Sequence, residues 1–204
     1  VSDSEMAGVY VDNSATCYID EGCKFNQMAN IGVVVQNKGQ CLINKAEFHQ
    51  AKYAAIDCST SFDTTMVTNC IFRNCAQGIV SDKASFITVK NCQFERCDYS
   101  SLHAQEKGRI LSIGNTFKDA LGNMIVLANS YGVIQSENDS LTGNCNSAYC
   151  AYQDGYIQCN KAQINNVVNT SALCYDQGSI RITNSKFSNT KQVGIRLTDS
   201  SRCY

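Results

Sequence analysis

Proline is absent from all 204 residues of this chain. An average protein contains about 5% proline. Because proline has no backbone N–H to donate to a β ladder, it is confined to the edges and ends of sheets. A chain of this length without proline is therefore predicted to consist almost entirely of β-sheet.

Long apolar runs, blocks of like charge and metal-binding motifs are also missing. No segment approaches the roughly 18 apolar residues of a membrane-spanning helix, so membrane insertion is not expected. The net charge is −1 and the charges are not clustered, which gives no electrostatic reason to expect nucleic acid as a partner. With two histidines and no Cys-x-x-Cys pair, we expect no metal site and no cofactor.

Cysteine, in contrast, is abundant. The chain has 13 cysteines, and so many cysteines without metal motifs are typical of an oxidising compartment. The sequence therefore predicts a secreted or extracellular surface protein that contains disulfides. Because the count is odd, at least one thiol is free or is bonded to another chain.

A short block recurs along the whole chain with a period of about 22–27 residues. It has a mostly small residue, then an apolar one, then a variable one, as in Gly78-Ile79-Val80. The apolar second position is taken by Val9, Val33, Ile56, Ile79, Leu102, Met124, Ala151, Leu173 and Ile195. An apolar position followed by a variable one is typical of a strand with one face in a core.

A second block lies later in each coil and ends in an aromatic residue. Its phenylalanines are Phe25, Phe48, Phe72, Phe94, Phe117 and Phe187. In coils six and seven we expect Leu141 and Val168 in the same place. Asparagine stands three residues earlier in three copies, and it tolerates the left-handed backbone of a sharp corner; these residues are Asn69, Asn91 and Asn184. Stacked coils are predicted to hold an inner phenylalanine column and a hydrogen-bonded asparagine ladder.

The two blocks together resemble the repeat of the pectin-lyase-like right-handed β-helix superfamily. The resemblance is carried by Val-Thr-Asn-Cys-Ile-Phe at 67–72 with Gly-Ile-Val at 78–80, and by Ile-Thr-Asn-Ser-Lys-Phe at 182–187 with Gly-Ile-Arg at 194–196. It covers nearly the whole chain but identifies no single member. The patterns of leucine-rich and helical repeats are missing.

The predicted fold is a single right-handed parallel β-helix over residues 1–204. It has about 8–9 coils of 22–27 residues each. Coil six is expected to contain a longer loop at residues 136–148. Neither end shows a capping element.

The coil positions predict which cysteines are neighbours. Three pairs are expected one coil apart, with about 5 Å between Cα atoms, which is within disulfide range: Cys17 with Cys41, Cys70 with Cys92, and Cys75 with Cys97. Each bridge would contribute about 3 kcal/mol by closing its loop. The alternative is a column of buried thiols, because free cysteine packs as a small apolar residue. Disulfides are favoured for the first and third pairs, and both alternatives stay open for the second.

Five further cysteines have less definite predictions. Cys145, Cys150, Cys159 and Cys174 are also disulfide candidates, with pairing that the sequence does not fix. Cys203 lies in the incomplete last coil with no partner in reach. It is a candidate for a bond to another chain, or else a frayed terminal thiol.

The resemblance implies an activity that can be checked against the residues. Enzymes of this superfamily mostly cut acidic polysaccharides, but the Asn-Thr-Asp, Asp-Asp, Gly-His-Gly and Arg-Ile-Lys motifs of polygalacturonase-like members are absent here. Asp57 and His103 share the predicted outward column, yet Val80 separates them, leaving about 10 Å where a catalytic pair must approach within about 3 Å. We therefore assign no catalytic residue and do not expect an enzyme.

The outward column is more apolar than a solvated face requires, through Tyr10, Val34, Val80, Ile125 and Tyr152. Such a strip can mark a partner surface, and its tyrosines can stack on sugar rings. The alternative is that loops of the same coils cover it. Asn138 and Asn169 begin N-glycosylation sequons.

The leading predicted function is structural. A β-helix without caps exposes unpaired strands, which favours end-to-end stacking with copies of itself into a filament, appendage or surface layer. The alternatives are a β-helix that binds or cleaves carbohydrate, with polysaccharide as its partner, and an adhesin module.

Overall fold

The protein winds as a parallel β-solenoid with three sheets. The computed structural model describes residues 1–60, 65–120 and 124–204. Every element in these ranges is a β-strand, and no helix in them is long and apolar enough to span a membrane. The first two sheets have nine strands and the third has eight among the described residues, and each strand pairs in parallel with the equivalent strand of the next coil.

The strand bounds follow the coil repeat. The first sheet contains β1 (Ala7–Val11), β4 (Ile31–Gln36), β7 (Ala54–Ser59), β10 (Gln77–Asp82), β13 (Ser100–Ala104), β16 (Met124–Ala128), β19 (Ser147–Ala151), β22 (Thr170–Cys174) and β25 (Val193–Leu197). The second contains β2 (Thr16–Ile19), β5 (Gln40–Asn44), β8 (Thr65–Thr68), β11 (Phe86–Lys90), β14 (Arg109–Ile113), β17 (Val133–Glu137), β20 (Tyr156–Asn160), β23 (Ser179–Thr183) and β26 (Arg202–Cys203). The third contains β3 (Lys24–Asn26), β6 (Glu47–His49), β9 (Ile71–Arg73), β12 (Gln93–Glu95), β15 (Thr116–Lys118), β18 (Ser140–Thr142), β21 (Gln163–Asn165) and β24 (Lys186–Ser188).

The register of the first sheet corrects the predicted alignment in the later coils. Leu102 pairs with Val126, Val126 with Tyr149, and Tyr149 with Ala172. The repeat in the sequence instead predicted Met124, Ala151 and Leu173 at this inward position, because each of them is also apolar. A slip of two residues keeps the same face of a strand, whereas a slip of one reverses it, so Leu173 points outward, paired with Arg196.

The longer loop predicted at residues 136–148 is wrong for the same reason. These residues contribute to β17, β18 and β19, which occupy their sheets as the equivalent strands of other coils do. The apparent extra length of coil six came from the misplaced start of the next coil.

The inner phenylalanine column is confirmed. Phe25, Phe48, Phe72, Phe94 and Phe117 stack in order, with ring centroids 4.5–5.0 Å apart. In the next two coils Leu141 follows Phe117, as expected, but Ile164 and not Val168 follows Leu141. The column continues to Phe187 and forms the axis of the apolar core.

Small residues on the first sheet make room for these rings. A Cβ atom at Gly78 would lie 2.8 Å from Phe94, and one at Gly32 would lie 3.1 Å from Phe48. Coil six reverses the arrangement, with a large residue, Ile125, at the position of Gly78 and the smaller Leu141 in the ring column. Both Ile125 and Leu141 are fully buried.

The corners between the second and third sheets are left-handed, as predicted. Asn69, Asn91 and Asn184 have φ values of 55°, 54° and 50°. The predicted asparagine ladder is only partly correct. The Nδ2 atoms of Asn69 and Asn184 donate to Oδ1 of Asn44 and Asn160, the last residues of the neighbouring strands, at 3.0 and 3.1 Å. These hydrogen bonds therefore connect a corner asparagine to the end of the neighbouring strand, whereas the predicted ladder connected the corner asparagines to one another.

Candidate glycan-binding face

The cysteines do not form the predicted cross-links. All 13 are free thiols, although Cys17 and Cys41 are register partners and Cys92 Sγ accepts a bond from the Cys70 backbone. The structure thus has free thiols in place of disulfides at all of the predicted disulfide candidates: Cys17, Cys41, Cys70, Cys92, Cys75, Cys97, Cys145, Cys150, Cys159 and Cys174.

Parallel stacking explains why neighbouring cysteines stay apart. Side chains in one column point the same way, so their Cβ atoms are about 4.8 Å apart, whereas a disulfide needs about 3.5–4.5 Å. Burial raises the pKa of Cys75 to about 11 and that of Cys145 to about 12. Since the thiolate is the reactive form, these groups act as packed apolar side chains. Cys203 is a half-buried free thiol, and its bond to another chain stays a prediction.

The outward face of the first sheet is where aromatic and polar groups gather. Its central column runs through Tyr10, Val34, Asp57, Val80, His103, Leu127, Cys150, Leu173 and Arg196. Asp57 and His103 are therefore separated by Val80, as the sequence predicted.

The predicted apolar partner surface is wrong for Val80 and Ile125. Val80 and Ile125 are 1% and 0% exposed, and Ile125 belongs to the inner core. Tyr152 follows β19 and lies in the neighbouring outward column, because its N–H continues the ladder to Ala128 O. Tyr10 is exposed and Val34 is half-buried.

A hydrogen-bonded chain covers the middle of this face and crosses four coils. His103 Nδ1 lies 2.9 Å from Gln77 Oε1, and His103 Nε2 lies 3.1 Å from Asn129 Oδ1. The Asn129 amide in turn donates to the Tyr152 hydroxyl at 2.8 Å. Burial lowers the pKa of His103, against the opposing effect of the Asn129 bond. The chain fixes the rotamers of these side chains.

Four tyrosines surround this chain. Tyr152 and Tyr175 stack with ring centroids 4.8 Å apart, and Tyr99 lies against His103 at 5.9 Å. Tyr53 and Tyr99 precede β7 and β13 and are 44% and 38% exposed. Burial raises the pKa values of Tyr152 and Tyr175 to about 12, so these two hydroxyls are neutral at physiological pH.

Two carboxyl groups lie at the lower end of the same face. Burial, with a further contribution from the Asp82 carboxylate, raises the pKa of Asp57 to about 6, and Lys83 opposes this. Burial and Glu106 raise the pKa of Asp82 as well. A carboxyl group that keeps its proton in mildly acidic solution both donates and accepts hydrogen bonds.

Other polar groups lie away from this face. Asp139 is sealed in the core, where it accepts bonds from Ser112 Oγ, Ser136 Oγ and Asn115 N–H at 2.6, 2.6 and 2.7 Å. Within the described residues, no three His, Cys, Asp or Glu side chains are grouped to hold a metal ion. The sequon residues Asn138 and Asn169 are exposed and half-buried, and their glycosylation stays a prediction.

The family model described as right-handed beta helix region matches residues 7–167. This is most of the chain, and the chain belongs to that family. A search of the curated proteins finds no match. The family defines the fold and leaves the function to the residues on its faces.

Sequence reasoning identified only part of this face. It placed Asp57, Val80 and His103 correctly, but it overlooked Gln77, Asn129 and Tyr175. For Asn129 and Tyr175 the signal is the column position, and the predicted column was displaced after coil five. Gln77 stands at the start of its strand, before the recurring block, where the repeat pattern gives no information. Tyr53 and Tyr99 lie in turns, where the strand pattern gives no information about direction.

Proposed function

We propose that this β-helix binds glycans on the outward face of its first sheet. The observation that carries the proposal is the set of partly exposed tyrosines around a hydrogen-bonded chain of amide and imidazole groups. Tyrosine has an apolar ring face and a polar hydroxyl, which suits the two sides of a sugar. Because the supporting chain already orders these side chains, binding requires little further loss of rotamer freedom.

The two ends of the face contribute different contacts. Tyr152 and Tyr175 offer ring faces to the C–H side of a pyranose, while Asp57 and Asp82 offer hydrogen bonds to hydroxyl groups. We propose binding and not cleavage, because the register keeps Asp57 and His103 apart with Val80 between them. With this function we propose an extracellular location, which the two sequons also favour. The cysteines give this location no support, because they are free thiols.

The proposal is tested on a glycan array with the wild-type chain and the Tyr175→Ala variant. Tyr175 is suited to this test because it stacks on Tyr152 without a place in the His103 chain. We expect the variant to lose about tenfold in affinity, the size of one aromatic stacking contact. Tyr131→Ala is the matched control, because Tyr131 is 60% exposed in a turn off this face. Equal binding by wild type and Tyr175→Ala would contradict the proposal.

End-to-end stacking into a filament or surface layer is the second candidate. The observation in its favour is that all three sheets are stacks of equivalent strands along one axis, an architecture that can be extended by further coils of the same register. Electron microscopy of the purified chain separates the alternatives: filaments support stacking, and isolated short rods contradict it.

A further inference from the structure

One of the turns that lead from the third sheet to the first is shorter than its neighbours. Residues 50–53 connect β6 to β7, and residues 96–99 connect β12 to β13. Between them, β9 and β10 are joined by residues 74–76 alone. The turn of this coil is therefore one residue shorter than the turns directly below and above it.

The backbone ladder shows where the missing residue would be. Ala76 N–H donates to Ala51 O at 2.8 Å, and the next N–H, that of Gln77, donates to Tyr53 O at 3.0 Å. The ladder thus steps over Lys52. Above the gap, Tyr99 N–H donates to Ala76 O at 2.8 Å. The longer neighbouring turns project past Ala76 and leave a notch between them.

The notch is the upper part of an open cavity of about 620 Å³ that continues over the turns below it. Its lining includes Asp3, Gln27, Gln50, Lys52, Asn74 and Asp98. Lys52 and Asp98 lie two coils apart, roughly 10 Å, on opposite walls. Within the described part of the chain, neither is in an ion pair. Their charges are available to a bound molecule.

We propose that this notch is a subsite for one uncharged pyranose of the bound glycan. The inference rests on the proposed function, because Tyr53 and Tyr99 directly follow Lys52 and Asp98 and join the notch to the glycan-binding face. The side chains of Gln50, Asn74, Lys52 and Asp98 in these three turns offer acceptors and donors for several hydroxyl groups. Asp98 balances the charge of Lys52, so the notch carries no net positive charge that would favour a sugar carboxylate. The volume lies within the range of small-molecule sites.

Titration calorimetry with cellotriose, chitotriose and trigalacturonate tests the proposal. Inserting one tyrosine between Ala76 and Gln77 restores the longer turn and fills the notch. We expect this insertion, and separately Lys52→Ala and Asp98→Ala, to weaken binding of the two uncharged trisaccharides about tenfold. Lys191→Ala is the matched control, because Lys191 is exposed in the equivalent turn of coil eight. The two substitutions keep the test decisive if the insertion variant does not fold.

The outcomes separate the notch from the whole face. Wild-type affinity of the three notch variants, with binding lost in Tyr175→Ala, would overturn the subsite and leave the proposed function standing. Preference of the wild-type chain for trigalacturonate would overturn the uncharged class. Absence of binding to all three probes and to the glycan array would overturn both proposals.

Discussion

At the scale of single residues, cysteine replaces the usual aliphatic side chains in much of the core. Ten of the 13 cysteines are buried, two are half-buried, and Cys23 is exposed. Free cysteine packs as a small apolar residue, and the ladder spacing keeps column neighbours out of disulfide geometry. The cysteine count alone could not predict this, because the same count fits cross-links and buried thiols.

Thiol labelling of the native protein checks this role. We expect fast modification of Cys23, slower modification of Cys17 and Cys203, and protection of the ten buried thiols until the protein is denatured. Mass spectrometry after labelling with iodoacetamide, with and without denaturant, measures each site. Failure of the buried cysteines to react even in denaturant would show that they are disulfide-bonded and would contradict the account.

Asp57 should make the stability of the protein depend on pH. Its folded pKa of about 6 lies above its ordinary value, so between about pH 4 and 6 the folded state holds more protons than the unfolded state. The free energy of unfolding then falls as the pH rises through this window. Asp57→Asn should remove this fall and be more stable than wild type at pH 7 by about 1–2 kcal/mol.

Urea denaturation at several pH values provides the measurement. His103→Gln serves as the companion variant, because the lowered pKa of His103 contributes a slope of opposite sign below about pH 6.5. The same pH dependence in wild type and Asp57→Asn would contradict the burial of this carboxyl group.

At the scale of elements, the size of an inward residue on the first sheet is complementary to the size of the residue that it meets from the third sheet. Coil three combines Ala55 with Phe72, and coil four combines Gly78 with Phe94, whereas coil six combines Ile125 with Leu141. All of these apolar side chains belong to the core. Since protein interiors are close-packed, a small residue in one strand requires a large one in the other.

A double-mutant cycle tests this volume exchange. Ile125→Ala should cost about 2–5 kcal/mol through the cavity that it leaves, and Leu141→Phe alone should cost about 1–3 kcal/mol through overpacking. The double variant reproduces the pair of coil three, so its loss should be smaller than the sum of the two single losses by at least about 1 kcal/mol. Denaturant titration of the four proteins measures this, and simple additivity would contradict the pairing.

Elements were predicted well from the sequence where the repeat was unambiguous. Phe48, Phe72 and Phe94 follow regular corners, and their column was predicted correctly. The two coils after Phe117 have no phenylalanine in this column, and Met124 and Val126 are both apolar residues on the same strand. Periodicity alone could not choose between them, which displaced the later columns and created the false loop at residues 136–148.

At the scale of the whole molecule, the candidate site is a product of stacking. Gln77, His103, Asn129 and Tyr152 come from four successive coils, and no two are close in sequence. The notch depends on a single missing residue in one of several similar turns. Neither feature forms a sequence motif, so the fold was predictable and the site was not.

A crystal structure of the chain soaked with the oligosaccharide that binds best on the array tests the central claim most directly. The account predicts sugar rings along the outward face of the first sheet, with one ring against Tyr175 and another in the notch between Lys52 and Asp98. Sugar bound instead on the outer face of the second or third sheet would contradict it.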